Sequence, residues 1–386
     1  MNDEKKSIRI CHLADVHLGY RRYNKLTKAG LNQREVDVSR AFQETITRII
    51  ALEPDAVVIA GDLFHSVRPS NSVLTFSFRQ IKRLAQGIDA PVIITGGNHE
   101  APKRADTGSV LQLLTEIDGV YVADAERKTF NFPDRNLSVC CLPHTAIQGL
   151  EHDLLRSNDS YAYNVLVAHA QVNQGWISDF GGAEIDLKVL APHEWDYIAL
   201  GHVHMYQAVG LQAVYAGAIE HTANNIWGEA KELKGFVEVS LPSGKRTFHA
   251  LTTPREVLAL DAIDAQGMDS DDLMDQITLQ LDGIAGGIDG KIVRLPVHGV
   301  TREVYKSLDH KKIRAYRARA LNLSLDIAFV TLAANIDVVE KPVRGLMREQ
   351  LVAFGTSRDI PGISKEDIKE TLNKYVGRME EAYEAS

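Results

Sequence analysis

The sequence has few cysteines and no long apolar run. Its three cysteines are Cys11, Cys140 and Cys141, and this odd number, with two of them adjacent, does not make a disulfide framework. No run approaches the roughly 18 apolar residues that span a bilayer. The N-terminal stretch MNDEKKSIRI is charged and lacks the apolar segment of a signal peptide. We therefore expect a cytoplasmic protein in a reducing setting, without a membrane partner.

The composition is that of an ordinary globular protein. The 386 residues are 45% hydrophobic and 24% charged, which excludes collagen-like and disordered classes, and the length allows two or three domains. The formal net charge of −8 does not favour nucleic-acid binding by bulk charge, although it leaves local basic patches open. The chain also has 14 histidines, many of them beside Asp, Asn or Gly.

Short apolar runs alternate with helical patterns up to about residue 240. Such runs, bounded by polar residues or glycine, predict central strands that helices cover. The predicted strands are 7–13, 56–60, 92–95, 137–142, 164–168 and 197–200. The predicted helices are 39–52, with Ser39 as its N-cap, 71–86 and 108–117. This alternation indicates a layered α/β fold.

The character of the chain changes after residue 241, where Pro242, Gly244 and Pro254 predict a boundary. We expect a first domain at 1–250, a smaller α+β domain at 255–340 and a helical tail at 341–386. In the small domain, a helix at 269–283 precedes two strands that flank a basic helix. The two strands are predicted at 291–298 and 323–330.

Metal-ligating side chains follow five of the predicted strands. They are Asp15 and His17, Asp62, Asn98, His169, and finally His202 with His204. Ligands bind at this edge of open α/β sheets, and mixed oxygen and nitrogen donors suit manganese, iron or zinc. Seven such groups can hold two divalent cations if one carboxylate bridges, which is the apparatus for in-line attack on a phosphorus ester. A single motif of this kind is more often a surface or core histidine, so the interpretation depends on the whole series.

The series DVH, GD, GNHE, H and GHVH resembles the calcineurin-like metallophosphoesterase superfamily. Residues 15–20 and 61–70 are similar to the SbcD-type nuclease subunit of the double-strand-break repair complex, the meiotic-recombination-eleven family. The GDxxDRG pattern of protein phosphatases is absent. Residues 215–222 resemble the family's GSxxRT segment but have Ala218 for Ser and His221 for Arg. The resemblance implies an αββα metallophosphoesterase sandwich, followed by a DNA-binding capping domain.

The resemblance also implies roles for individual residues. One metal would be held by Asp15, His17, Asp62 and His204. The other would be held by Asp62, Asn98, His169 and His202, so that Asp62 bridges. His99 would lie over the scissile phosphate and help to protonate the leaving oxygen. His65 would orient the DNA backbone or His99, the alternative being a loop histidine that caps the following turn. In the family, manganese (Mn2+) is the activating metal.

Two basic segments are candidates for DNA contacts. Arg21 and Arg22 lie in the loop after the first motif, and a solvated loop is the alternative. Residues 302–319 contain seven basic residues against two acidic ones. This segregated charge is suited to a duplex backbone, the alternative being a plain basic helix face. Its basic residues include Lys311, Lys312, Arg314 and Arg317.

Two further segments predict protein partners. The helix at 71–86 has apolar residues on more than one face, and in the family this region forms a homodimer, whereas a wholly buried helix is the alternative. The tail at 364–383 carries an apolar stripe. In the family, C-terminal helices grip an SbcC-type ABC ATPase, although the stripe is equally compatible with packing on its own domain.

The sequence with its resemblance therefore predicts a manganese-dependent two-metal DNA nuclease in double-strand-break repair, working with an SbcC-type ATPase. The family precedent is a 3′-to-5′ exonuclease on duplex ends with endonuclease activity on single strands. One alternative is a small-molecule or nucleotide phosphodiesterase of the same superfamily, which needs no basic accessory domain. Another is a subunit that mainly tethers DNA ends.

Overall fold

A computed structural model describes residues 7–102, 108–147, 155–173 and 184–330, together with Ser364, Glu366 and Lys369. The chain divides into two compact units, Met1–Phe329 and Val330–Ser386. Of the predicted helical tail at 341–386, only Ser364, Glu366 and Lys369 are among the described residues. Among the described residues, no helix combines the length and the apolar character that crossing a bilayer requires.

Two six-stranded sheets form the centre of the first unit. In spatial order, the first contains β14 (Lys245–Ala250), β13 (Gly235–Leu241), β1 (Ile8–Leu13), β2 (Ala56–Ala60), β3 (Val92–Thr95) and β4 (Val120–Ala123). The second contains β11 (Gln207–Ala208), β12 (Ala213–Tyr215), β10 (Tyr197–Gly201), β7 (Tyr163–His169), β6 (Leu137–Leu142) and β5 (Lys128–Phe132). Each predicted strand of this region is present within one residue of its predicted bounds.

Parallel pairing brings the carboxyl ends of the central strands to one edge of each sheet. The strands β1 to β4 pair in parallel, and so do β6, β7, β10 and β12. The outer strands β13, β14, β5 and β11 are antiparallel additions. Because the loops after parallel strands leave from the same edge, side chains distant in sequence can meet there.

Three apolar layers hold the sheets and helices together. Between the sheets, Val58 packs in one cluster with Val165. On the outer face of the first sheet, Phe42 of α1 (Gln33–Leu52) and Leu84 of α2 (Asn71–Gly87) share a second cluster. The outer face of the second sheet packs against Trp195 and the short helix α3 (His144–Ile147). The prediction of a layered α/β fold is therefore confirmed.

The helix α1 begins earlier than its apolar pattern predicts. Asn32 caps it, since its side-chain oxygen accepts from the Arg34 backbone N–H at 3.0 Å. The predicted cap, Ser39, lies inside the helix and donates to the Glu35 carbonyl. The first turns look exposed in the sequence because they carry charged residues, but Arg34 is only 1% exposed. Its guanidinium donates to the carboxylates of Asp37 and Glu220, which offsets its burial.

A smaller module follows the two sheets in the chain. Its four-stranded sheet contains β15 (Val257–Ala259), β16 (Ile263–Asp264), β17 (Ile292–Val300) and β18 (Asn322–Phe329). Its helices are α4 (Ser270–Asp282), α5 (Arg302–Ser307) and α6 (His310–Arg319). The predicted single basic helix is two helices, because Asp309 caps α6 by accepting from the backbone N–H of Lys311 and Lys312. The domain boundaries stay a prediction.

Shorter elements lie between these strands and helices. Strands β8 (Gln171–Asn173) and β9 (Glu184–Asp186) form a small parallel pair. A 3-10 helix at Val110–Glu116 lies where a helix is predicted.

His12 lies in the layer between the two sheets. It is fully buried, and its Nδ1 lies 2.9 Å from the Tyr197 hydroxyl. Burial lowers the pKa of His12 to about 3, so the folded protein holds it neutral. An unfolded histidine has a pKa of about 6.5, so the unfolded chain takes up this proton first as the pH falls.

The substitution His12→Gln removes this proton uptake while keeping a polar partner for Tyr197. Stability contributed by the neutral imidazole is complete above about pH 6.5 and is lost as the pH falls towards 3. We therefore expect wild type to lose about 2 kcal/mol more unfolding free energy than the variant between pH 7 and 5. Urea unfolding at both pH values measures this. The exposed His193→Gln should behave as wild type, and an unchanged acid limb in His12→Gln would contradict the interpretation.

Candidate metal centre

Strand ends from both sheets converge on one cluster of side chains. Asp15 and His17 follow β1, Asp62 follows β2, Asn98 and His99 follow β3, His169 ends β7, and His202 and His204 follow β10. The structure brings all of these predicted site residues together. The floor of the cluster is fully buried and consists of Asp15, His17, Asp62 and His169. The partly exposed rim consists of Asn98, His99, His202 and His204.

Asp62 occupies the middle of the cluster. Its Oδ2 lies 3.7 Å from His17 Nε2, 3.4 Å from His169 Nε2 and 4.0 Å from His99 Nε2. Its Oδ1 accepts from the His99 backbone N–H at 2.9 Å. One carboxylate therefore faces imidazoles from the ends of three different strands.

Within the part of the chain that the structure describes, three groups of side chains are compact enough to hold a metal ion, each with its ligand atoms within 4.8 Å of one another. They are Asp15–His17–His204, Asp15–Asp62–His169 and His17–His65–His99. Asn98 adds an amide oxygen, which lies 3.0 Å from His169 Nε2 and 3.1 Å from His202 Nδ1. A set of carboxylate, amide and imidazole donors fits divalent transition metals.

The backbone of the cluster is unusual. Asp15, His17 and Asp62 have φ of 51°, 54° and 51°, and His202 has φ of 101°. Side chains other than glycine rarely adopt this left-handed region, and such strain collects at functional sites. The neighbouring backbones also approach closely, since a Cβ at Gly97 would lie 2.1 Å from Asp62 Oδ1. At Gly201, a Cβ would lie 1.8 Å from the Ala60 carbonyl oxygen, so glycine is required at both positions.

The electrostatics divide the cluster into charged and neutral groups. Although burial disfavours its charge, the imidazoles of His169 and His17 hold the pKa of Asp62 well below its usual range. Burial likewise opposes the charge on His169, but Asp62 raises the pKa of His169 to about 10. Burial raises the pKa of Asp15 to about 7.

Two other imidazoles are held neutral. Burial lowers the pKa of His17 to about 3. Burial, with His17 and Lys234 nearby, lowers the pKa of His204 well below its usual range. A neutral imidazole offers a lone pair, which is the form that binds a metal. The Nε2 atoms of these two rings lie 3.1 Å apart and face the same space.

His99 is the most accessible of the three imidazoles that face Asp62, with 36% of its side chain exposed. Its Nδ1 lies 3.0 Å from the His65 carbonyl oxygen, so Nδ1–H donates there and Nε2 is left towards the cluster. The ring of His65 stacks on that of His99, with centroids 5.0 Å apart. His65 Nδ1 also lies 3.3 Å from His17 Nδ1. His65 therefore contacts the rings of both neighbours.

Two residues that the motif series does not assign to the site lie beside the cluster in the structure. Glu100 is 1% exposed and accepts from the Leu63 backbone N–H at 3.0 Å. Burial and the charge of Asp62 raise the pKa of Glu100 well above its usual range, which favours its neutral form. His144 follows β6 at the same edge, with its ring centroid 6.2 Å from that of His169. Two sequence signals could have identified them. Glu100 is the last residue of the GNHE motif, and His144 follows a predicted strand, as the metal-ligating residues do.

The candidate DNA-binding residues lie in two places. Arg21 forms an ion pair with Glu35 although its side chain is 60% exposed, and Arg22 donates to the Asn224 carbonyl at 3.1 Å. The four basic side chains of α6 that are candidates for DNA contacts are exposed, whereas Tyr316 faces the core of the module and donates to Asp282. These four are Lys311, Lys312, Arg314 and Arg317.

His221, which stands where the resembling family has an arginine, is buried beside the cluster. Its carbonyl accepts from Arg34 at 2.7 Å. Burial, reinforced by Lys234 and Arg34, lowers the pKa of His221 to about 3. A neutral buried imidazole does not supply the positive charge that an arginine would bring to a phosphate.

A divalent cation that binds this cluster should stabilise the fold. At 100 times its dissociation constant, a ligand of the folded state adds about 2.7 kcal/mol of unfolding free energy. We expect Mn2+ to raise the melting temperature of wild type and Asp62→Asn to abolish most of that increase, because the central carboxylate loses its charge. Thermal melts with and without MnCl2 measure this. The exposed Asp118→Asn should keep the full increase, and an equal increase in both variants would contradict the assignment.

Comparisons with known proteins agree with this geometry. Residues 8–206 match the calcineurin-like phosphoesterase family. The DNA double-strand break repair protein Mre11 of Methanocaldococcus jannaschii is 32% identical over 236 residues, which cover 58% of this chain and 60% of that protein. The Mre11 protein of Methanococcus maripaludis is 29% identical, with 51% of this chain and 52% of that protein covered. This chain spans about half the length of the curated relatives that it matches.

Two solved phosphatase structures align with this chain at low sequence identity. Purple acid phosphatase PPD1 of yellow lupin aligns with a TM-score of 0.38 and 16% identity, covering 61% of this chain and 50% of the phosphatase. A dimetal phosphatase from Danio rerio aligns with a TM-score of 0.35 and 11% identity, covering 64% of this chain and 96% of that protein. The family match over residues 8–206 contains every strand end that contributes to the cluster. The chain therefore belongs to the calcineurin-like phosphoesterase family, and the two curated relatives named above are Mre11 proteins.

Proposed function

We propose that this chain is a manganese-dependent two-metal DNA nuclease that acts in double-strand-break repair. One cation is held by Asp15, His17, Asp62 and His204. The second is held by Asp62, Asn98, His169 and His202. The observation that carries the proposal is the position of Asp62, whose Oδ2 lies within 4.0 Å of imidazoles assigned to both cations.

Two divalent cations in this cluster supply an activated water and neutralise charge on the phosphoryl oxygens. The chain itself positions the other groups. His99 is held by its Nδ1–H donation to the His65 carbonyl and by stacking on the His65 ring. Its Nε2 therefore points into the cluster, where it holds a proton for the departing oxygen and stabilises the charge of the transition state. His65 acts here through the orientation of His99.

DNA is the proposed substrate for two reasons. The matched relatives are named DNA double-strand break repair proteins. In addition, α6 presents an exposed basic face in a chain whose formal net charge is −8. Arg21 and Arg22 are assigned a supporting role at the phosphate backbone. By the family precedent, the activities are 3′-to-5′ cleavage of duplex ends and endonucleolytic cleavage of single strands.

The proposed partners are a second copy of the chain and an SbcC-type ATPase, in the cytoplasm. The outer face of α2 supports the first, because Thr75, Phe76 and Arg79 line an open depression of about 550 Å³ there. Val73 and Leu84 pack into the core and Phe76 packs partly against it, whereas Thr75 and Arg79 are exposed and available for a symmetric contact. The ATPase would dock on the tail at 341–386.

The nuclease proposal predicts a steep loss of cleavage in His99→Ala. A general acid contributes typically 10²- to 10⁴-fold, so we expect kcat on a labelled duplex with Mn2+ to fall by about that factor. Metal affinity should stay near wild type, and the exposed His193→Ala should cleave normally. If wild type gives no product ladder but hydrolyses a nucleoside phosphodiester, the small-molecule alternative is correct. If His99→Ala cleaves as wild type does, His99 has no such role.

The basic face of α6 predicts a specific salt dependence. Changing Lys311, Lys312, Arg314 and Arg317 together to Gln should reduce the slope of log K against log salt by about 3 to 4, since each neutralised phosphate contributes about 0.9. Filter binding to duplex DNA across a salt series measures the slope. The exposed pair Lys231→Gln and Lys245→Gln is the control. If the variant keeps the slope of wild type, the DNA binds elsewhere. The variant should still hydrolyse a nucleoside phosphodiester at the rate of wild type.

A further inference from the structure

The two nitrogens of the His204 ring face different neighbours. Its Nε2 lies 3.1 Å from His17 Nε2 and 3.9 Å from Asp15 Oδ1, within the metal cluster. Its Nδ1 points the other way, 3.9 Å from Glu229 Oε1 and 3.4 Å from Thr222 Oγ1. The ring therefore connects the cluster to a second group of polar side chains behind it.

Glu229 forms a buried ion pair with Lys234, and each partner contacts His204. Lys234 Nζ lies 2.6 Å from Glu229 Oε2, and it also donates to the His204 carbonyl at 2.8 Å. Glu229 is 8% exposed and Lys234 is 3% exposed. Each charge is costly to bury alone, so the two must stay together. The pair thus contacts both the ring and the backbone of one residue.

The segment that carries Glu229 is anchored in the small module. Glu229 is the last residue of the 3-10 helix Ile226–Glu229. Ile226 is 1% exposed and shares an apolar cluster with Val257 of β15, Ile292 of β17 and Leu321. The Arg294 guanidinium of β17 lies over the Trp227 ring, 5.9 Å from its centroid. The position of Glu229 therefore depends on how the module packs against this helix.

We propose that Glu229 is a positioning residue for His204, and that the small module holds Glu229 in place through Ile226 and Trp227. The charge of the carboxylate, 3.9 Å from His204 Nδ1, favours a proton on that nitrogen, and this selects the tautomer with its Nε2 lone pair directed at the metal cluster. Partners of this kind typically change metal affinity by 10- to 100-fold. The inference rests on the proposed function, in which His204 holds a cation.

The test compares Glu229→Gln with wild type in the full chain. The variant keeps the shape of the side chain but loses the charge that orients the imidazole. By calorimetry with Mn2+, we expect one of two binding events to weaken by 10- to 100-fold and the other to stay unchanged. In 15N spectra, His204 should change from a single Nδ1–H tautomer to a mixture. The exposed Glu232→Gln, three residues further along, is the matched control and should match wild type.

A second pair of variants tests the link to the module. Trp227→Ala should weaken the same binding event by about three- to tenfold, whereas Leu233→Ala, an exposed apolar change in the same segment, should not. Combined with Glu229→Gln, Trp227→Ala should add little, because the two changes act through one contact. Full additivity of the two losses would overturn the role of the module.

A double variant distinguishes a loss of protein stability from a loss of the orientation of His204. If Glu229→Gln leaves Lys234 unpaired and fails to fold, Glu229→Gln with Lys234→Met removes both charges. We expect this protein to fold but to keep the weakened binding event and the altered tautomer. Recovery of wild-type affinity in it would mean that Glu229 only neutralises Lys234, and the proposal would be wrong.

Two other results have a clear meaning. If Thr222→Ala causes the selective loss and Glu229→Gln does not, then Thr222 is the partner of His204 and the proposal is overturned. If wild type itself binds no pair of Mn2+ ions, the proposed function fails before the positioning role is reached.

Discussion

The burial of Asp62 is the constraint on which the rest of this structure depends. A carboxylate at 2% exposure is stable only if other groups replace its water, and here three imidazoles and one backbone N–H do so. These groups come from different strands, so satisfying one charge fixes how β1, β3 and β7 end relative to β2. The pair of Arg34 and Glu220 works in the same way at the neighbouring loop, where a buried guanidinium connects α1 to the segment around His221.

Much of the fold and of the site could be predicted, because the signals were local. Buried parallel strands are continuous apolar runs, as in AVVIA at 56–60, and their bounds are visible in the sequence. Once β1 and β2 are parallel, their ends must share an edge, so the convergence of Asp15 and Asp62 follows from the pairing. His169 belongs to the second sheet, and its arrival at the same place depends on how the two sheets stack. The class of metal that the site binds then depends on which ligand groups are present, and these are visible in the sequence.

The remainder depends on contacts between distant residues. The first turns of α1 look exposed because nothing near Arg34 in the sequence reveals that Glu220 lies beside it. Glu229 is one acid among many until the fold brings it to the Nδ1 side of His204. Similarly, Tyr316 stands among basic residues in the sequence, yet its ring packs in the core of the small module. Such partners are a property of the tertiary structure, and no periodicity marks them.

The left-handed backbone at the metal-facing aspartates restricts how this centre can change during evolution. Asparagine tolerates a φ near 51° better than most side chains, so an amide can replace either carboxylate without straining the backbone at that position. Glutamate adopts a positive φ less readily, and its side chain has one more methylene group to fit into the buried site. Natural drift at Asp15 and Asp62 should thus pass through asparagine, which keeps the shape and loses the charge, and relatives that have abandoned chemistry should carry that residue.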